Sequence, residues 1–80
     1  MQINILAFGI AKEIIQGSQL QLTLDKPATV ADVKEVLCRR FPEFERLASL
    51  RIAVNSEYAN DDHALEEQDE VVIIPPVSGG

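Results

Sequence analysis

Apolar residues recur along this chain with two different periods, and the switches between them mark its elements. Residues 2 to 8, beginning Gln2-Ile3-Asn4-Ile5-Leu6, read as a first strand with Ile3 and Ile5 on one face and Phe8 out of phase with them. The segment from Gln19 to Asp25 alternates strictly and places Leu20, Leu22 and Leu24 on one face of a second strand. Two strands in succession predict a hairpin. Their connection, Gly9 to Ser18, is long for one, and Ala11-Lys12-Glu13-Ile14-Ile15 within it predicts a helical turn ended by Gly17. After Pro27 the period lengthens: Val30, Val33, Leu37 and Phe41 form one helical stripe, with Lys34, Glu35, Arg39 and Arg40 largely off it. Thr29 is placed to cap this main helix, Asp32 completes a capping-box pattern, and Pro42 stops the helix near Arg40 or Phe41.

Residues 43 to 50 read as a short irregular or helical connection, and Arg51 to Asn55 as a third strand. Asn55 and Ser56 suit a turn, a short fourth strand surrounds Tyr58, and an acidic loop from Asn60 to Glu70 has Leu65 as its inward anchor. The last strand, Val71-Val72-Ile73-Ile74, does not alternate, which points to the sheet centre or to cover on both faces. The order β-β-α-β-(β)-β predicts an α+β fold of the ubiquitin-like β-grasp kind, a pattern that other α+β rolls share. Its mixed β-sheet has one main helix on one face and a projecting C-terminal tail. Residues 1 to 76 form the domain and 77 to 80 the tail. A single helix covers one face only, so the other is polar, or apolar where a partner lands.

Composition narrows the function classes. A chain of 80 residues with 46% apolar and 25% charged residues makes one soluble domain with little room for an enclosed active site. A net charge of -6 opposes nucleic-acid binding and favours a partner with a basic surface. The N-terminus shows no secretory signal, which predicts a cytoplasmic protein, and no apolar run approaches the length of a membrane span. Cys38 is the only cysteine, so an internal disulfide and a cysteine-built metal cage are both excluded; it reads as a small filler at the border of the helix stripe. His63 reads as a solvated or capping residue. Asp61, Asp62, Glu66, Glu67, Asp69 and Glu70 read as a solvated loop, with electrostatic steering of a partner as the sharper alternative. No nucleophile constellation, Gly-rich phosphate loop or pair of catalytic acids is present, and no metal site is predicted.

The chain end is the remaining candidate: its Gly-Gly pair reads either as a chance, frayed terminus or as a chemical device, and only its context separates the two. A carboxylate is a poor electrophile, and coupling it to sulfur requires activation, most simply by ATP to an acyl-adenylate. Gly79 and Gly80 lack Cβ atoms, thread a narrow channel and adopt angles closed to other residues. Pro75 and Pro76 favour an extended stem that cannot curl back into the sheet, and Val77 and Ser78 complete the segment that would enter a partner.

The end of the chain, Asp69-Glu70-Val71-Val72-Ile73-Ile74-Pro75-Pro76-Val77-Ser78-Gly79-Gly80, closely resembles that of the small, sulfur-carrier subunits of molybdopterin synthase. Leu6-Ala7-Phe8-Gly9 leading to Lys12-Glu13, Thr29-Val30-Ala31-Asp32, and Ile52-Ala53-Val54-Asn55 resemble that family in the same order. The related thiamine-pathway carriers share the Gly-Gly end but usually lack the Pro-Pro-Val-Ser stem. One departure is Gln68, where the family often has a turn glycine; it leaves the local turn geometry open. The resemblance implies a cycle. An ATP-dependent activating enzyme adenylates the Gly80 carboxylate, and a sulfur donor converts it to a thiocarboxylate. The tail then enters the large synthase subunit and gives its sulfur to a cyclic pyranopterin precursor. The resemblance also implies a heterotetramer with the large subunit, no permanently bound cofactor, a non-catalytic role for this chain, and apolar contacts through Phe8, Tyr58 and Ile74. The alternatives are a sulfur carrier for thiamine or amino-acid biosynthesis, a ubiquitin-like protein modifier, and a plain interaction domain.

Overall fold

The two alternating segments pair as an antiparallel hairpin in the computed structural model, which describes residues 1–46 and 50–74. Strand β1 (Gln2–Ala7) sets Ile3 opposite Leu22 and Ile5 opposite Leu20 of β2 (Gln19–Thr23), so the apolar sets of both strands share one face. Helix α1 (Gly9–Ile15) lies between them and starts on Gly9 at φ 57, where a side chain would be strained. Its left-handed terminal residue is Gln16, at φ 60, and not the expected Gly17. Keeping Ile14 and Ile15 helical packs both against the core and moves the break to the next residue.

Helix α2 (Val30–Arg40) forms where the longer period begins and buries Val30, Val33 and Leu37. The capping box is present, with the Thr29 N–H donating to Asp32 Oδ2 at 2.8 Å. The next donors of the first turn are satisfied from the acidic loop: Val30 N–H reaches the His63 carbonyl at 3.1 Å, and Ala31 N–H the Asp61 carbonyl at 2.9 Å. Leu65, buried as expected, secures that loop while its N–H donates to the Ala28 carbonyl at 2.9 Å. A 3₁₀ helix over Pro42–Arg46 then delivers Phe44 into the core, where it meets Phe41 edge to face at 6.1 Å.

Strands β3 (Arg51–Val54), β4 (Glu57–Tyr58) and β5 (Glu70–Ile74) complete a five-stranded sheet of order β2-β1-β5-β3-β4. The two-residue turn between β3 and β4 places Asn55 at φ 52 and Ser56 at φ 72, matching the twist of a tight hairpin. At the other turn, Gln68 needs no positive φ: the Asp69 N–H closes it on the Glu66 carbonyl at 3.1 Å, so a glycine there is not required. Strand β5 runs parallel to β1 and antiparallel to β3, which accounts for its unbroken apolar run. Ile3, Ile5, Ala7, Leu22, Ile52, Val54, Val71 and Ile73 meet α2 on one face. Each large aliphatic side chain buried there contributes roughly 1.5 to 3 kcal/mol relative to exposure. No helix among the described residues is long and apolar enough to cross a membrane.

Candidate functional site

With α2 on one face, the other face of the sheet is left open, and its strand registers decide what it displays. Leu6 lies opposite Val72, Val72 opposite Ala53, and Ala53 opposite Tyr58, giving one row across four strands. One step along, Ile74 lies opposite Arg51. Phe8 follows Ala7, whose partner is Ile73, and so extends this second row beside Ile74. Towards the opposite end and the β2 edge the face turns polar, with Gln2, Asn4, Gln19, Gln21, Thr23 and Glu70. The apolar part is thus confined to the end from which β5 runs on into residue 75.

Phe8, Tyr58 and Ile74, the three contact residues expected from the sequence, all belong to this end of the open face. Phe8 is 58% exposed and Tyr58 66% exposed, while Ile74 is half-buried. Phe8 follows a run in which Ile3, Ile5 and Ala7 are fully buried, so its exposure reflects the pleat and not a frayed end. Leu6, Val72 and Arg51 join them without having been expected. The strand period carries the signal for two of these, because Leu6 alternates with Ile5 and Ala7, and Val72 with Val71 and Ile73. The Arg51 guanidinium stacks on the Tyr58 ring at 5.4 Å. Pro75, Pro76, Val77, Ser78, Gly79 and Gly80 lie outside the described residues, as does the expected boundary between domain and tail.

The remaining candidates are parts of the scaffold. Asp61 pairs with Lys34 at 2.7 Å, and Asp69 accepts from the Asn55 side-chain amide at 2.9 Å and from the Glu66 N–H at 2.9 Å, so part of the acidic stretch shapes its own loop. His63 contributes its carbonyl to the start of α2. Cys38 is half-buried, and burial, then the nearby Glu45 carboxylate, push its thiol pKa up against a smaller lowering by Lys34. That combination opposes a reactive thiolate. Among the described residues no group of three or more His, Cys, Asp or Glu side chains could hold a metal ion.

A five-stranded mixed sheet wrapped on one main helix, open and apolar at the end of its central strand, defines a ubiquitin-like β-grasp domain. The chain belongs to the ThiS family, which it matches over residues 5–80. It is 33% identical over 81 residues to the molybdopterin synthase sulfur carrier subunit of Arabidopsis thaliana, covering 100% of this chain and 84% of the relative. It is 32% identical to the molybdopterin synthase sulfur carrier subunit of Chlamydomonas reinhardtii, with 100% of both chains covered. Among solved structures it resembles small archaeal modifier protein 1 of Haloferax volcanii, with a TM-score of 0.84 at 26% identity over 100% of both chains. It also resembles a Caldiarchaeum subterraneum ubiquitin, with a TM-score of 0.65 at 26% identity over 100% of this chain and 98% of the other.

Proposed function

We propose that this chain is the sulfur-carrier subunit of a molybdopterin synthase and that the Gly80 carboxylate is its working group. The observation that carries the reading is the likeness, over the whole chain, to curated sulfur carrier subunits of that enzyme. The open face adds physical support, since it offers an apolar landing surface where β5 leads towards the tail.

In this reading an activating enzyme binds ATP, and a Gly80 carboxylate oxygen attacks the α-phosphorus, releasing pyrophosphate and leaving an acyl-adenylate. A sulfur donor then delivers sulfur at the sulfide level to the acyl carbon, AMP departs as the leaving group, and a thiocarboxylate remains. The open face docks on the large synthase subunit through Phe8, Tyr58 and Ile74, and residues 75 to 80 carry the terminal sulfur to the pyranopterin precursor. Ordering the four residues of Val77 to Gly80 costs roughly 4 to 8 kcal/mol of backbone entropy, at about 1 to 2 kcal/mol per residue. Docking of the face offsets that cost. Each visit delivers one sulfur, so a dithiolene product takes two. The chain holds no cofactor of its own, acts in the cytoplasm, and contributes the donor group while its partners catalyse.

Intact-mass measurement after incubation with ATP, the activating enzyme and a sulfur source tests the reading. The expected result is exchange of one oxygen for sulfur on Gly80, followed by its loss when the large subunit and precursor are added. A chain lacking Gly80 should fold with unchanged thermal stability and transfer nothing; transfer by it would overturn the mechanism. The likeness to an archaeal modifier protein favours a second reading, in which the activated Gly80 forms an amide on a lysine. Lysine-linked conjugates in place of thiocarboxylate would select it.

A further inference from the structure

Arg51 stands out on the open face. The strand positions of that face carry Gln2, Asn4, Leu6, Gln19, Gln21, Thr23, Ala53, Tyr58, Val72 and Ile74, and only Glu70 and Arg51 are charged. Glu70 pairs in register with Asn4, at the polar end, whereas Arg51 pairs with Ile74 at the apolar end. A cation therefore stands inside the apolar patch of a chain whose net charge is -6.

Three observations set this cation apart from an ordinary surface charge. Its guanidinium lies over the Tyr58 ring at 5.4 Å, which restricts the side chain before any partner arrives. Among the described residues it has no acidic partner within 4.0 Å, whereas its neighbour Lys34 is taken up by Asp61 at 2.7 Å. It also borders a shallow depression formed with Lys34, Tyr58, Ala59, Asn60 and Asp61, open to a side chain from outside. A partner that covers Phe8, Ile74 and Tyr58 must strip water from Arg51. A covered guanidinium without an anion is costly, so the covering surface has to supply one.

We propose that Arg51 is a specificity-determining docking residue, which accepts into the depression beside Tyr58 a carboxylate from the large synthase subunit. The inference rests on the docking face described under Proposed function. A planar guanidinium already held by an aromatic ring is matched to bidentate pairing with a carboxylate. A partner that is basic towards the acidic remainder of this chain then carries a local acidic residue opposite Arg51. That inversion of sign fixes the orientation of docking.

The test measures the affinity of the full-length chain for the purified large subunit of molybdopterin synthase from the same organism, at low and high salt. Arg51→Glu, Arg51→Leu and Phe8→Asp are compared with the parent, and unchanged melting temperatures establish that each variant folds. Arg51→Glu should weaken binding by about tenfold or more, and Arg51→Leu by roughly threefold to tenfold, as for loss of a partly desolvated charge pair. The Arg51→Glu deficit should shrink at roughly 0.5 M salt, where screening is strong. If Phe8→Asp weakens binding while Arg51→Glu stays within about twofold of the parent, or Arg51→Leu binds more tightly, the assignment of Arg51 fails and the docking face stands. If Phe8→Asp also has no effect, the docking face itself is wrong.

Discussion

Asn55 and Glu70 are joined twice where β3 turns away from β5. The Asn55 N–H donates to the Glu70 carbonyl at 2.8 Å, and the Glu70 N–H donates to Asn55 Oδ1 at 2.9 Å. The Asn55 side-chain amide also reaches Asp69 at 2.9 Å, and its backbone holds φ 52, a left-handed angle that asparagine tolerates better than most residues. One side chain thus ties the start of the β3–β4 turn to Asp69 and to the first residue of the central strand. Asn55→Ala should destabilise the fold by about 1 to 3 kcal/mol, from two lost hydrogen bonds and an unfavourable φ. Asn55→Gly, which relieves the φ but not the bonds, should fall between Ala and the parent. Urea unfolding midpoints of the three chains decide this, and an Asn55→Ala chain as stable as the parent would show that the junction is held by the ladder alone.

The start of α2 offers a second test. Asp32 accepts from the Thr29 N–H at 2.8 Å and sits at the positive end of the helix dipole. Asp32→Ala should cost about 0.5 to 2 kcal/mol, and Asp32→Asn less, because an amide oxygen retains the bond but not the charge. Equal losses in the two variants, read from thermal unfolding, would assign the effect to charge and not to the hydrogen bond.

How much of the fold is legible in the sequence follows from which forces are local. Periods along the chain record which side of an element is buried, so β1, β2 and α2, with the Thr29–Asp32 cap, can be read from residue order alone. Phe44 cannot, although it is among the largest fully buried side chains, because the 3₁₀ segment that carries it has no sustained period. Residue preference ends α1 at Gly17, one position late, because it leaves out the packing of Ile14 and Ile15. Of the candidate site only Phe8 is legible in the same way, whereas Tyr58 and Ile74 rest on the family resemblance. Phe8 announces itself by breaking phase, but the rows joining Leu6 to Tyr58 and Ile74 to Arg51 depend on strand order, which a succession of elements does not contain.

Cys38 gives a prediction in pH. Its pKa is raised in the fold, first by burial and then by Glu45, so the folded chain keeps its thiol protonated to higher pH than the unfolded chain does. The stabilising contribution is therefore fully present below the unfolded thiol pKa and is lost as pH rises through the folded one. Cys38→Ala should flatten the decline in stability across the alkaline range relative to the parent. At neutral pH, alkylation of Cys38 in the folded chain should be slower than that of a small free thiol. A rate matching the free thiol would show that the fold neither shields nor perturbs this group.

Ala7 and Phe8 are neighbours in sequence, yet Ala7 is fully buried on the core face of the sheet and Phe8 is 58% exposed on the opposite face. The same substitution at the two positions should therefore separate folding from docking. Ala7→Asp forces a carboxylate into the core with no partner, at a cost of several kcal/mol, and should leave the chain largely unfolded. Phe8→Asp removes no core contact and should retain the parent's melting temperature and far-ultraviolet spectrum. It should nevertheless weaken association with the large synthase subunit by about tenfold or more, since aromatic anchors at the centre of an interface carry much of its binding energy. Activation of Gly80 provides the comparison: a folded Phe8→Asp chain that still accepts sulfur, but delivers it poorly, would place Phe8 in synthase docking. One that delivers sulfur normally at limiting concentrations of the large subunit would remove Phe8 from that surface.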